Sequence, residues 1–361
     1  MEYSSVERVY IWLDSFPLSD GAKRRLIEEC ESAVQLVQNF ARFKPIFSSF
    51  KEQDAALFER MQAALSGKEY YQKTVADLQS RKIVPIPVGN PYYPREWEEL
   101  PDKPLVLYAQ GNLDLLKGKK FAVCGSRRTP PAALKLTEKI AEELRLAFTV
   151  ITGFSDGADV AALTGAIKGG GSAVCLLAGG FSFIPQTDTL LLEKVKERGL
   201  FLSPHRPEVP CRTFSYEYRN KLLAALCEGV LVTGADEKSG ALISAKYAEK
   251  FGKKVFAFPY SPSAAMGVGC NKLIKSGGYL TETAADIFAA FGIKAESEKP
   301  RETLSGTEEQ VMLVLREGTN LHVAELAEKT GVPIYKLAAI LSSLEIKGYV
   351  VRVGGNAYAA V

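Results

Sequence analysis

Phe121-Ala122-Val123-Cys124-Gly125-Ser126-Arg127-Arg128 is the stretch on which the reading of this chain turns. Its four leading apolar residues, bounded by Lys119-Lys120 and Gly125, have the length and continuity of a parallel strand buried on both faces. Thr129-Pro130-Pro131 then opens a helical pattern, with apolar residues three and four apart over 132–146. Backbone N–H groups at a helix start have no internal partner. With Ser126 and Arg127 beside them, they can hold an anion.

Outward from this stretch, strand-like and helix-like patterns alternate. Strands are expected over 148–152, 172–178, 199–203, 229–233 and 254–258, with helical stretches between them. That alternation predicts βαβ units and an α/β fold, a doubly wound parallel sheet of extended Rossmann-like type. Ligands of such sheets bind outside the carboxyl ends of the strands, so the loops after strands are where function should concentrate.

Composition bounds the rest. The 361 residues imply two or three domains, and 45 basic against 42 acidic residues give a net charge of +3, too small to announce a polyanion partner without local clustering. Lys117, Lys119, Lys120, Arg127 and Arg128 form one acid-free cluster, either a phosphate-facing patch or a solvated rim. Six scattered cysteines without a C-x-x-C pair read as reduced thiols, and only two histidines, His205 and His322, argue against zinc or histidine chemistry. With no signal peptide, lipidation motif or long apolar run, the expected location is cytoplasmic, with no membrane contact and no cofactor.

Upstream, residues 1–82 read as a helical domain. Val6, Val9, Tyr10 and Leu13 share a face, Ser19-Asp20-Gly21 forms a turn, and Leu26, Ile27, Cys30, Val34 and Val37 continue at helical spacing. The six prolines of 84–104 exclude a continuous helix and suggest an extended arm leading into a strand at 105–108. Downstream, 294–306 is a polar linker. A capping box at Thr307-x-x-Gln310, helices through Arg316, over 323–329 and over 331–345, and a hairpin around Gly354-Gly355-Asn356 give a winged-helix pattern over 307–361. Its recognition helix offers few bases, Lys336 and Lys347, which favours packing or protein contact over groove reading.

Other strand-following loops also carry polar chemistry. Thr152-Gly153-Phe154-Ser155-Asp156-Gly157-Ala158-Asp159 places two glycines and two carboxylates at a helix start, where Asp159 is either a cap or a ribose ligand. Gly179-Gly180-Phe181-Ser182-Phe183 sets aromatics beside glycines. Phe214, Tyr216 and Tyr218 interleave with Arg219-Asn220-Lys221, as a single-stranded nucleic-acid groove requires, rings for base faces and cations for phosphates. Ser239-Gly240 opens another helix, and Gly269-x-Asn271 follows the last predicted strand.

Taken in order, Gly125-Ser126-Arg127, Thr152-Gly153-x-x-x-Gly157-x-Asp159, Arg219-Asn220-Lys221, Ser239-Gly240-x-Leu242-Ile243 and Gly269-x-Asn271-x-Leu273-Ile274 resemble the DprA (Smf) family of DNA-processing proteins. The resemblance covers about 84–290 and extends to the flanking architecture: an N-terminal helical (SAM or HhH-like) domain at 1–82, a Rossmann-like DNA-binding domain at 83–293, a linker at 294–306 and a winged helix at 307–361. It implies a non-enzymatic single-stranded DNA-binding recombination mediator, a homodimer that protects incoming DNA and loads RecA in natural transformation. It also implies that Gly125, Ser126, Arg127, Arg128, Gly153, Gly157, Asp159, Tyr216, Arg219, Asn220, Lys221, Ser239, Gly240, Gly269 and Asn271 form the nucleic-acid site. The chain departs from the family pattern at Leu163, Tyr216-Glu217, Lys221 and Gly234. A phosphoribohydrolase-like nucleotide enzyme and a protein-binding adaptor are the competing readings. A dehydrogenase is disfavoured by the missing G-x-G-x-x-G.

Overall fold

A computed structural model describes residues 2–30, 32–47, 55–65, 71–184, 189–293, 304–317, 320–346 and 349–360. They divide into two compact units, Met1–Ile293 and Lys294–Val361.

The first unit is built on a nine-stranded sheet: β1 Val84–Pro87, β2 Val106–Gly111, β3 Lys120–Cys124, β4 Thr149–Thr152, β5 Ala173–Leu176, β6 Leu200–Ser203, β7 Gly229–Val232, β8 Lys254–Ala257 and β9 Tyr279–Leu280. Their order is β1-β2-β6-β5-β4-β3-β7-β8-β9, parallel from β6 to β9 and antiparallel at β1–β2–β6. The chain runs from β3 outward through β6, then returns to the other side of β3 as β7. The expected doubly wound sheet is therefore present, with its topological switch between β3 and β7. Alternate residues feed two cores. Ala122, Ile151, Val174 and Val230 pack under the Thr213–Leu226 and Ala241–Lys250 helices, while Phe121, Val150, Leu231 and Phe256 pack against Ile140, Leu163 and Ile287 on the opposite face. Burial on both faces explains why these strands read as unbroken apolar runs.

The N-terminal helices belong to this same unit. Lys23 Nζ bonds Asp14 at 2.6 Å, the Tyr108 hydroxyl of β2 donates to the same carboxylate at 2.5 Å, and Asn90 donates to Glu7 at 2.6 Å. Three local expectations are corrected here. Val6 is exposed, and Ser19 is not a turn residue but the N-cap of the Asp20–Glu28 helix, its hydroxyl accepting from Ala22 N–H. The apolar spacing over 26–37 belongs to two helices, Asp20–Glu28 and Ala33–Gln38. The proline-rich arm forms β1, where Pro85 and Pro87 occupy an edge strand that tolerates missing donors, and a short helix, Arg95–Glu98. Trp97 anchors the arm, fully buried and donating from Nε1 to the Leu222 carbonyl at 2.9 Å.

The acid-free basic cluster does not survive as one patch. Lys117 and Lys120 lie at the start of β3, paired with Asp114 and Glu96, and Lys120 is buried, whereas Arg127 and Arg128 follow its end.

The second unit packs three helices, Gly306–Glu317, Val323–Thr330 and Ile334–Ile346, on a three-stranded sheet, β10 Leu321–His322, β12 Ala357–Ala360 and β11 Val350–Gly354 in spatial order. This is the winged-helix arrangement expected, with β10 an addition. The capping box lies two residues earlier than expected: Ser305 Oγ accepts from Glu308 N–H, and Glu308 accepts from Ser305 N–H. Exposed Ile334 and Tyr335 accompany Lys336 on the recognition helix, while Lys347 and most of the linker (294–303) lie outside the described residues.

Candidate functional site

A cleft of about 710 Å³ opens at the carboxyl ends of β3 and β7, at the switch point. Its walls meet through glycines. A Cβ on Gly125 would come within 2.7 Å of both Ala158 Cβ and Thr233 Oγ1, so only glycine lets the loops after β3, β4 and β7 converge. Gly157 has φ +78°, and a Cβ there would lie 2.7 Å from the Arg127 carbonyl oxygen. The β3 loop is tied down by Ser126 N–H donating to the Gly234 carbonyl at 2.8 Å and by Thr129 Oγ1 donating to the Ser126 carbonyl at 2.8 Å. Thr129 Oγ1 would lie 2.5 Å from a Cβ at position 234, which accounts for glycine there.

The polar lining faces this cleft from four segments. Arg127 is exposed, and its Nη2 donates to the Tyr216 hydroxyl at 3.4 Å. A hydrogen bond with Cys211, and after it burial, raise the Tyr216 phenol pKa, and the Arg127 charge opposes them. Arg128 crosses the mouth to Asp236 at 2.8 Å with its side chain 76% exposed. On the far wall Asn220 Nδ2 donates to the Gly240 carbonyl at 3.1 Å, and Ser239 Oγ accepts from Ala241 N–H at 3.3 Å. Among the described residues no atom beyond the adjoining chain lies within 4 Å of where a Gly240 Cβ would stand, so this turn opens onto the cleft, while the first N–H groups of the Ala241–Lys250 helix are taken by Ser239 Oγ and by the Ser239 and Gly240 carbonyls.

Two charged groups sit beneath the lining. Arg219 is 7% exposed and donates from Nη1 to the Leu176 carbonyl at 3.2 Å, while its buried Nε meets no hydrogen-bond partner among the described residues. Asp159 is also buried, and one carboxylate oxygen accepts from Ser155 N–H at 3.3 Å. Burial raises the Asp159 pKa and the Arg219 charge opposes it. Gly153 is the floor on which both rest: a Cβ there would lie 1.8 Å from Arg219 Nη1 and 2.5 Å from Asp159 Oδ2.

A recess of about 170 Å³ adjoins the cleft and shares Arg127, Ser155, Tyr216 and Arg219 with it. Phe183 and Cys211 also line it. Phe183 carries a sequence signal in its glycine-aromatic loop. Asp236 and Lys238 carry none beyond their nearness to Ser239, and Cys211 none at all.

The structure does not bring the remaining expected residues to the cleft. Lys221 turns away to pair with Asp102, and Tyr218 donates to the Asp102 carbonyl at 2.6 Å. Gly269 packs against the Asp236 carbonyl, and Asn271 clamps the Tyr260 backbone, donating at 3.0 Å and accepting at 3.1 Å. Phe214 lines a separate pocket against Lys23 and His205.

The cleft is suited to holding phosphates beside a ring. All six cysteines are free, and burial pushes the Cys124 thiol well above its ordinary value, which makes it a poor nucleophile. Among the described residues no group of His, Cys, Asp or Glu could hold a metal, and no helix is long and apolar enough to cross a membrane.

Comparison with known proteins agrees with this geometry. The family model described as DNA recombination-mediator protein A matches residues 85–292, and that of the DprA winged helix domain matches 295–356. The DNA processing protein DprA of Streptococcus pneumoniae is 33% identical over 227 residues, 62% of this chain and 80% of that protein. The Bacillus subtilis protein of the same name is 31% identical over 227 residues, 61% of this chain and 76% of that one. The X-ray structure of the pneumococcal protein aligns over 80% of this chain and 98% of its own, with TM-score 0.64 and 29% identity. A structure of DNA processing protein A from Helicobacter pylori, which concerns that protein's single-stranded DNA binding mode, aligns over 58% of this chain and 95% of its own, with TM-score 0.53 and 26% identity.

Proposed function

The chain belongs to the DNA recombination-mediator protein A family, and we propose on that footing that it binds single-stranded DNA in the switch-point cleft, protects incoming strands and loads RecA in natural transformation. The reading rests on one observation above all: an exposed arginine, Arg127, stands in contact with a half-exposed ring, Tyr216, in a cleft that the Ser239-Gly240 turn also lines. Cations take phosphates, and a ring takes a base face whatever its sequence. The single-stranded DNA binding of the Helicobacter pylori relative supports the same assignment.

The protein acts in this reading as a cytoplasmic, non-enzymatic homodimer. Tyr279 and Leu280, exposed on edge strand β9, supply apolar area for self-association. Arg127, Arg128 and Lys238 are the exposed cations at the cleft, so log affinity for single strands should fall against log salt with a slope of about −2.

Fluorescence anisotropy of a labelled oligo-dT against Arg127→Glu tests the assignment. The variant should lose most binding while its melting temperature holds, and unchanged affinity would sink it. Release of free base from a nucleoside monophosphate, lost in Asp159→Asn, would favour the enzyme reading instead. RecA retained in a pull-down by a protein that binds no DNA would favour the adaptor.

A further inference from the structure

Arg219 is held where a phosphate contact is hard to make. Its guanidinium is committed to the Leu176 carbonyl and lies against Gly153 beside Asp159, and its Nε is shut off from solvent. Its outward neighbour is a ring. Arg219 Cζ stands 5.9 Å from the centroid of Tyr216, which is 37% exposed and whose hydroxyl receives Arg127 Nη2. A buried cation under one part of an aromatic side chain and an exposed cation at its hydroxyl fix the ring between them. Four groups thus run in sequence from the core to the cleft: Asp159, Arg219, Tyr216 and Arg127.

We propose that Arg219 is a positioning residue, which touches no phosphate but holds the Tyr216 ring, and through its hydroxyl the Arg127 guanidinium, in the orientation that receives a base and its phosphate. The proposal deepens the single-stranded DNA reading and rests on it. Burial of a charge against Asp159 and Leu176 sets the arginine's place before any ligand arrives, so the strand meets a ring already oriented. A lysine at 219 would keep the charge but lose the planar group that spans the carbonyl and the ring.

The test compares Arg219→Lys with Arg127→Ala in full-length protein, using an oligo-dT that carries 2-aminopurine, titrated at several salt concentrations. Arg127→Ala should flatten the salt slope by about 0.7, the value of one phosphate contact. Arg219→Lys should leave the slope unchanged, weaken binding roughly tenfold, the scale of one lost stacking contact, and relieve the quenching of 2-aminopurine. In a Tyr216→Ala background Arg219→Lys should have no further effect. A slope flattened by Arg219→Lys as much as by Arg127→Ala overturns the proposal, as does a tenfold loss that persists without Tyr216.

Two DNA-free or mutation-free readouts complete it. Fluorine NMR of 3-fluorotyrosine protein, with the Tyr216 signal assigned through Tyr216→Phe, should show that resonance shifted or broadened by Arg219→Lys in the free protein; an unmoved resonance overturns the proposal. In wild type, the Arg219 Nε proton should exchange slowly both free and DNA-bound, and loss of that protection on binding counts against it. Wild type that fails to bind oligo-dT at all defeats the DNA reading, while the fluorine signal still judges the positioning role.

Discussion

At Gly153 a single hydrogen in place of a methyl group decides whether two buried charges can share one site. Gly153→Ala should cost about 1–3 kcal/mol, because the new Cβ displaces the Arg219 guanidinium; a urea midpoint equal to wild type would refute this. Asp236 pairs with Arg128, which in the proposed site would otherwise be available to a phosphate. Asp236→Asn should strengthen oligo-dT binding by about threefold, since an exposed pair of this kind is worth under about 1 kcal/mol; weaker binding would contradict it. His205 gives a pH dependence. Burial lowers its pKa, with Asp20 and Asp14 opposing and Lys23 assisting, so the fold holds it neutral. Its contribution is fully present above the unfolded pKa of about 6.5 and is lost as pH falls below that value toward the lowered folded pKa. Urea midpoints should therefore decline on acidification from pH 7, and His205→Gln should flatten the decline. The residue scale also shows what sequence could not convey. Gly125 and Gly157 announce turns, but the reason for Gly153 lies in Arg219, which is 66 positions away and reaches it only through tertiary packing. Arg219-Asn220-Lys221 looks like one basic patch. On a helix successive side chains point about 100° apart, so one goes to the core, one to Gly240 and one to Asp102.

Elements were more legible than residues. Continuous apolar runs bounded by glycine placed β3 to β8 correctly, because burial on both sheet faces leaves no polar alternation to confuse the pattern. The lysines at the start of β3 and the arginines after it are near in sequence yet lie at opposite ends of an extended strand, where each residue advances about 3.3 Å. β9 and β10 escaped because two residues carry too little periodicity. The edge strand also supports a prediction. Leu280→Lys should leave the thermal midpoint within about 2 °C, since the side chain is exposed, while shifting light-scattering mass from two chains to one. A dimer that persists would remove β9 from the interface.

For the whole molecule, the cleft and its supporting cores lie inside Met1–Ile293, so this unit alone should fold and bind oligo-dT with the full chain's salt slope. A shallower slope would bring the Lys294–Val361 unit into phosphate contact. The two edges of the nine-stranded sheet are unlike. At one, β1 carries Pro85 and Pro87, and the Tyr3 hydroxyl occupies the Pro85 carbonyl at 3.1 Å. At the other, β9 presents open backbone and apolar side chains. Because the prolines of β1 withhold donors from a neighbour, a sheet-edge contact between two copies of the proposed dimer would join β9 to β9. Such a contact would exclude head-to-tail growth and would close as a pair with twofold symmetry instead of propagating into a filament.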